Sequence, residues 1–368
     1  MSEMIINTPF VEEVHWTKLI EESWSILDVR SPGEFADNAL PGSVNIPILT
    51  DEERAQIGTT YKHQGREAAI ELGSRLVSGE TKELRLQAWM NALAANPCSV
   101  ITCWRGGLRS EVAQQWLAER GVERPRLKGG TKAFRRFLLR QMDEILSVQK
   151  FLVISGETGA GKTLCLRAAA QTRPVLDLEH LAKHRGSAFG AVLDHQPSQA
   201  SFENLIAAEL LRTSGNSHLP LLIEDESRMV GSLVAPQALF ERLRASPVIF
   251  IDEPLAKRVE NTLREYVLES DLQHSEKLQR YYRQSLQQIS KRLGGERYRR
   301  CLGILNEAIQ RADLELHREC ISILLNDYYD PLYRKSFKIR QPQVIFRGSR
   351  AEVSEFLGNP SRCLRHLR

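Results

Sequence analysis

The sequence predicts an α/β protein in which two parallel-sheet domains are followed by a mainly helical extension. Three observations predict it. Short β-branched runs alternate with helix-patterned segments through the first third of the chain. A second alternation opens at the strand-like run Phe151-Leu152-Val153-Ile154, and residues 272–325 then carry a largely helical pattern. Strands alternating with helices imply a parallel sheet covered on both faces. At 368 residues the chain also exceeds one ordinary core. The expected division is 1–140, 141–270 and 271–368.

Composition narrows the class. A hydrophobic share of 42% with 26% charged residues is that of a globular protein, not of a disordered one. No apolar run approaches the ~18 residues of a membrane span, and the N-terminus lacks a signal-peptide pattern, so the expected location is the cytoplasm, with no membrane partner. Six cysteines without CxxC spacing argue against a zinc site and against a disulfide framework. The net charge is only +4, so local basic clusters, not the total, carry any preference for a polyanion.

In the first domain, helical patterning over residues 11–20 precedes a strand at 24–30. The turn Ser31-Pro32-Gly33 enters a short helix, and residues 40–47 read as a turn feeding another strand. The β-branched run Ser99–Thr102 then leads into Cys103-Trp104-Arg105-Gly106-Gly107-Leu108-Arg109-Ser110, and Val112, Ala113, Trp116 and Leu117 follow at helical spacing. A cysteine thus heads a strand-to-helix turn. Backbone N–H groups and the helix dipole favour negative charge there, and Arg105 and Arg109 should ease ionisation of the thiol. Gly106, Gly107 and Ser110 complete the expected anion cradle.

LDVRSPGEF, LPGSVNIP and a strand ending in Cys103 together resemble the rhodanese domain over roughly residues 10–140. The resemblance implies that Cys103 carries a transferable chalcogen. The usual sulfur-transfer loop of that family spaces its arginine as C-x4-R, whereas Cys103 and Arg109 form C-x5-R. Rhodanese-like cysteine phosphatases use the longer loop to hold a tetrahedral phosphate, so the spacing favours a phosphate-bearing donor. The insertion at residues 61–73 is expected to be either a solvated helix or part of a substrate groove.

From Arg120 to Arg140 there are eight basic residues against the single acid Glu123. Lys128, Lys132, Arg135 and Arg136 are therefore candidate contacts to a phosphate backbone, a solvated face being the plainer account. The second alternation begins with Gly156-Glu157-Thr158-Gly159-Ala160-Gly161-Lys162-Thr163, a G-x4-G-K-T motif between a strand and a helix. Gly156, Gly159 and Gly161 let N–H groups wrap a diphosphate, Lys162 neutralises its oxygens, and the Thr163 hydroxyl is placed for Mg²⁺. Two apolar runs end in acids. Asp225 is the expected metal-side carboxylate, while Asp252-Glu253 before Pro254 is expected to cap a helix. His184 and Arg185 are expected on the phosphates or the second substrate.

In the last third, Arg280, Arg283, Arg297 and Arg299 are interleaved with Tyr281, Tyr282 and Tyr298. Arginines that pair phosphates among tyrosines that stack bases suit a single-stranded RNA loop. Core packing is the competing account of the tyrosines.

A CWRGG loop, a P-loop, HRGSAFG and IEDESR in one chain resemble the tRNA 2-selenouridine synthase family over nearly the whole length. The resemblance implies replacement of sulfur in wobble 2-thiouridine of a tRNA by selenium from selenophosphate. It also implies geranyl transfer from geranyl diphosphate, with S-geranyl-2-thiouridine as intermediate, and a selenophosphate-supplying enzyme as possible partner. On that reading Cys103 takes up selenium while the P-loop holds the prenyl diphosphate. Two other classes stay open on the residues: an ATP- or GTP-dependent kinase or ATPase with a regulatory rhodanese-like module, and a cysteine phosphatase. Thr102 replaces the histidine that usually precedes a phosphatase cysteine.

Overall fold

The computed structural model describes residues 8–187, 189–190, 195–214, 219–270 and 275–359; Ala188 of the HRGSAFG loop and Cys363 lie outside them. Two compact units are present, residues 1–145 with 197–212 and residues 146–196 with 213–368.

The first unit is built on a five-stranded parallel sheet. Its strands are β1 (Phe10–Val11), β2 (Ser25–Asp28), β3 (Ser43–Asn45), β4 (Ser99–Thr102) and β5 (Arg126–Leu127), in the order β1-β5-β4-β2-β3. β4 is the central strand and is buried on both faces, as its unbroken β-branched run requires. Val11 is a strand residue, so the helical pattern expected from residue 11 begins only at Trp16. The insertion forms the long helix Asp51–Leu76, bent where Gly65 takes φ 85° and ψ −175°. Most of its residues from 61 to 68 are exposed, in keeping with a solvated helix.

The second unit carries another parallel sheet. It comprises β6 (Phe151–Gly156), β7 (Val175–Leu176), β8 (Leu221–Glu224), β11 (Val248–Ile251) and β12 (Val344–Gly348), in the order β12-β11-β6-β8-β7. The strands β9 (Met229–Val230) and β10 (Leu233–Val234) form a separate hairpin. Leu152 and Ile154 of β6 pack with Leu222, Ile249 and Ile251, and also with Val353 and Phe356 of the helix Arg350–Leu357. The tail is therefore more than a helical extension: it closes one edge of the sheet and part of its core. Between these parts, the helices Glu276–Leu293, Gly295–Arg311 and Leu314–Leu324 bury a second apolar cluster around Leu286, Leu305 and Leu324.

One helix departs from the expected division. Gln199–Ser214 lies in sequence between strands of the P-loop sheet, yet residues 197–212 belong to the first unit. The reason is polar. Fully buried Asn204 donates to Asn38 Oδ1 and to the Ala39 carbonyl, both at 2.8 Å, and accepts from Arg135 Nη1 at 2.7 Å. Asn204→Leu should remove the donor from Asn38 Oδ1 and the Ala39 carbonyl, while Arg135 keeps the Ala200 carbonyl, and should lower unfolding stability by about 1–3 kcal/mol in urea titration.

Candidate active sites

Cys103 follows the last residue of β4 at the C-terminal edge of the sheet, beside the point where strand order reverses. Ligands in open parallel sheets bind at such points. Its thiol is buried, with Sγ 3.3 Å from Ser110 Oγ and 3.8 Å from the Gly107 carbonyl. Gly107 precedes the helix Leu108–Ala118, so the turn opens onto a helix N-terminus. A second turn braces it from behind: the N–H of Thr131 donates to the Cys103 carbonyl at 2.9 Å and that of Lys132 to the Trp104 carbonyl at 3.0 Å.

The two arginines of the loop differ. Arg105 is exposed at the rim. Arg109 is paired with Glu34, its Nη2 3.1 Å from Oε1. Burial alone would raise the Glu34 carboxyl, but hydrogen bonding and charge from Arg109, with help from Arg54 and the Ser31 N–H, hold it at about 2. Arg109 is thus oriented by a carboxylate 75 positions away, a partner that loop spacing could not reveal. Arg30 of the LDVRSPGEF stretch is fully buried against Asp28, within 2.6 Å, and carries structure instead of the site.

In the second unit the P-loop occupies the equivalent place, between β6 and the helix Lys162–Ala169. Gly159 and Gly161 take φ of 80° and 85°. Lys162 Nζ lies 3.2 Å from the Gly156 carbonyl. Burial works against its charge, but Glu226 and Glu224, with Tyr333 and Glu179, outweigh that and keep the ammonium more firmly protonated than a free lysine. Thr163 Oγ1 reaches Glu224 at 3.2 Å and Glu179 at 3.3 Å. Burial and mutual repulsion push Glu179 up to about 9 and Glu224 to about 8; burial, offset in part by Lys162, pushes Glu226 to about 7.

Asp225 is not the partner of Thr163. Its carboxylate turns to Ser155 and Arg340. Alternation along the chain after β8 sends Glu224 and Glu226 one way and Asp225 the other. Asp252 and Glu253 do not cap the helix that follows them, where Pro254 occupies the cap position; Asp252 pairs with Arg347, and Glu253 instead accepts the N–H of Arg350, the first residue of the helix Arg350–Leu357, at 2.7 Å. Two further residues were not legible beforehand. Tyr333 Oη accepts the Gly156 N–H at 3.0 Å, and the Arg350 side chain passes close to Gly161. Arg258 joins the P-loop to the helix Asp330–Arg340, donating to the Thr158 carbonyl and to both Asp330 oxygens.

Two sequence families match the chain: residues 13–136 match the rhodanese-like domain, and residues 149–363 match the domain described as the tRNA 2-selenouridine synthase AAA domain. The "tRNA 2-selenouridine synthase" of Bdellovibrio bacteriovorus is 43% identical, over 92% of this chain and 96% of its own. The chain belongs to the tRNA 2-selenouridine synthase family. Proteins of the same description from Nitrosomonas eutropha and Nitrosomonas europaea are 39% and 41% identical, over 96% and 93% of this chain and 98% and 96% of theirs.

For a member of this family, the residues expected on RNA divide sharply. Lys132, Arg136, Arg280, Arg297 and Arg299 are exposed, and exposed Lys128 is paired with Glu12. Arg297 pairs with Asp327, and Arg283 with Asn306. Arg135 instead holds Glu203, Asn204 and the Ala200 carbonyl. Tyr282 is buried, its hydroxyl donating to the Tyr266 carbonyl, and Tyr281 and Tyr298 pack on the same apolar cluster. Tyr282 is core and Tyr281 and Tyr298 lie half-buried against it, because helical spacing turns the apolar sides of Glu276–Leu293 and Gly295–Arg311 toward one another. His184 is buried, which disfavours its charged form, and its N–H donates to the Glu179 carbonyl at 2.9 Å, while Arg185 lies 3.5 Å from Glu265 and over the Tyr266 ring.

Glu34 generates a pH prediction. Its folded value lies below the ordinary 4.5, so its contribution is complete above pH 4.5 and is lost as pH falls toward 2. Urea midpoints of the wild type and Glu34→Gln should differ at neutral pH, with the wild type higher, and converge as pH falls through that window.

Proposed function

We propose that the protein is a tRNA-modifying transferase that converts wobble 2-thiouridine to 2-selenouridine, with selenophosphate as selenium donor and S-geranyl-2-thiouridine, made from geranyl diphosphate, as intermediate. One observation carries the reading. A chain of this family holds two distinct anion turns, each at the C-terminal edge of a parallel sheet, one around a thiol and the other around a lysine. A regulatory rhodanese-like module would not need a buried thiol in a braced amide-lined turn. A phosphatase would not need the P-loop.

At the first turn, Cys103 is the residue on which selenium transfer depends. The donor's phosphate would be received by the loop amides and by Arg109, which Glu34 holds in place. At the second turn, the thiocarbonyl sulfur of the base forms a bond to C1 of the geranyl group while the C1–O bond breaks. Diphosphate leaves with that electron pair. Charge develops on its oxygens as it departs, where the P-loop amides, Lys162 and Arg350 can meet it. The exposed basic residues of both units, Lys132, Arg136, Arg280, Arg297 and Arg299 among them, are the proposed contacts to the tRNA backbone.

The residues also fit Mg²⁺. Carboxylate oxygens of Glu179, Glu224 and Glu226 lie within 4.8 Å of one another, Thr163 touches two of these groups, and Glu224 Oε1 is buried without a hydrogen-bond partner. Such hard oxygen donors suit this ion, which when bound would offset diphosphate charge. Among the described residues no helix is long and apolar enough to cross a membrane.

Mass spectrometry of tRNA nucleosides tests the assignment. Cys103→Ser should abolish 2-selenouridine while S-geranyl-2-thiouridine remains measurable, and Lys162→Ala should lower the geranylated nucleoside by about 10²-fold or more, the scale of losing one charge-stabilising group. Selenouridine persisting in the Cys103→Ser strain would refute the role of the thiol. Steady ATP hydrolysis without tRNA, unaffected by Cys103→Ser, would favour the nucleotide-dependent alternative.

A further inference from the structure

A partly open cavity lies within the second unit, and one of its walls is the P-loop itself, through Thr158. Thr262 continues that wall and sits directly against Gly159, where an added Cβ would come within 2.6 Å of Oγ1. Beyond these two threonines the cavity is formed by Phe189, Tyr266, Leu286, Ile321 and Leu324, among others. The cavity therefore abuts the P-loop at Thr158 and is apolar along its depth.

Four of its hydroxyl groups are engaged with the protein. Thr262 Oγ1 donates to the Arg258 carbonyl at 2.8 Å, Tyr266 Oη and Ser187 Oγ share a hydrogen bond of 2.8 Å, and Tyr282 Oη donates to the Tyr266 carbonyl at 3.0 Å. The walls are otherwise mainly apolar, so a nucleobase entering here would find few partners for its donors and acceptors, which is costly. A hydrocarbon chain would lose nothing and would shed water. Two π-helical turns, Arg264–Leu268 and Leu325–Tyr329, both border the cavity. Such turns persist most often where a site needs them.

We infer that this cavity receives the hydrocarbon chain of a diphosphate ester whose diphosphate sits on the P-loop, and that Leu286, Ile321 and Leu324 set the chain length accepted. The inference rests on the reading of the P-loop as a prenyl-diphosphate site. It adds where the chain lies, why a nucleoside is disfavoured there, and which side chains measure it. Ile321 is partly exposed and packs at the edge of the helical cluster, so it can be enlarged or reduced with limited disturbance of the fold.

Equilibrium binding to the full chain tests this with inorganic diphosphate, dimethylallyl, geranyl and farnesyl diphosphates and ATP. The wild type should bind geranyl diphosphate more tightly than inorganic diphosphate or the dimethylallyl ester. Ile321→Trp should weaken geranyl diphosphate by about 10-fold or more, a methylene-scale effect, while inorganic diphosphate still binds as before. Ile321→Ala should move the preference toward the farnesyl ester, and decides the matter should the tryptophan variant fail to fold. Equal binding of inorganic and geranyl diphosphate by the wild type, or an Ile321→Ala chain-length preference identical to wild type, overturns the cavity assignment alone. Geranyl diphosphate binding that survives Lys162→Ala, with ATP binding lost, overturns the P-loop reading and the inference with it.

Discussion

Both strand-to-helix turns depend on one steric constraint: another stretch of backbone passes so close against each that only glycine fits between them. At Gly130 an added Cβ would lie 2.2 Å from the Cys103 carbonyl oxygen and 2.3 Å from the Gly106 nitrogen. At Gly159 it would lie 2.7 Å from the Arg258 carbonyl. Both glycines also have positive φ, where a side chain is strained in any case. The turns are shaped by backbone, so their geometry does not depend on the rotamers of long side chains.

Charge is managed differently at the two turns. Around Cys103, a single carboxylate on Arg109 fixes a guanidinium that could otherwise swing into solvent. Around Lys162, three carboxylates crowd one ammonium in a buried space, and burial with repulsion raises all three. Such crowding is relieved by protons taken up on the carboxylates or by an added cation. The first turn, with its acid–base pair already balanced, makes no such demand.

The basic segments show how one stretch can serve two ends. Gly129 to Lys132 lies in the most basic run of the chain, yet its amides brace the cysteine turn, and Arg135 anchors the helix Gln199–Ser214 by three contacts. Its neighbours Lys132 and Arg136 remain exposed. Spacing along the helix separates Arg135 from Arg136, since adjacent residues do not share a face, while Lys132 and Arg136, four apart, do.

The sequence alone determined what is local. Strand, turn and helix follow one another directly at Cys103 and at Lys162, so residue type and spacing suffice to place the thiol, the P-loop and the parallel-sheet class. Tertiary structure decided everything that depends on partners distant in the chain: Glu34 on Arg109, Glu179 and Glu224 on Thr163 in place of Asp225, the packing of Tyr282, and the edge strand supplied by residues 344–348. Those pairings arise from the order in which strands lie side by side and from which face of each element is buried. Neither is encoded in a single window of sequence, because a carboxylate or a tyrosine reads the same in the chain whether its fold turns it toward a ligand, a partner or the core.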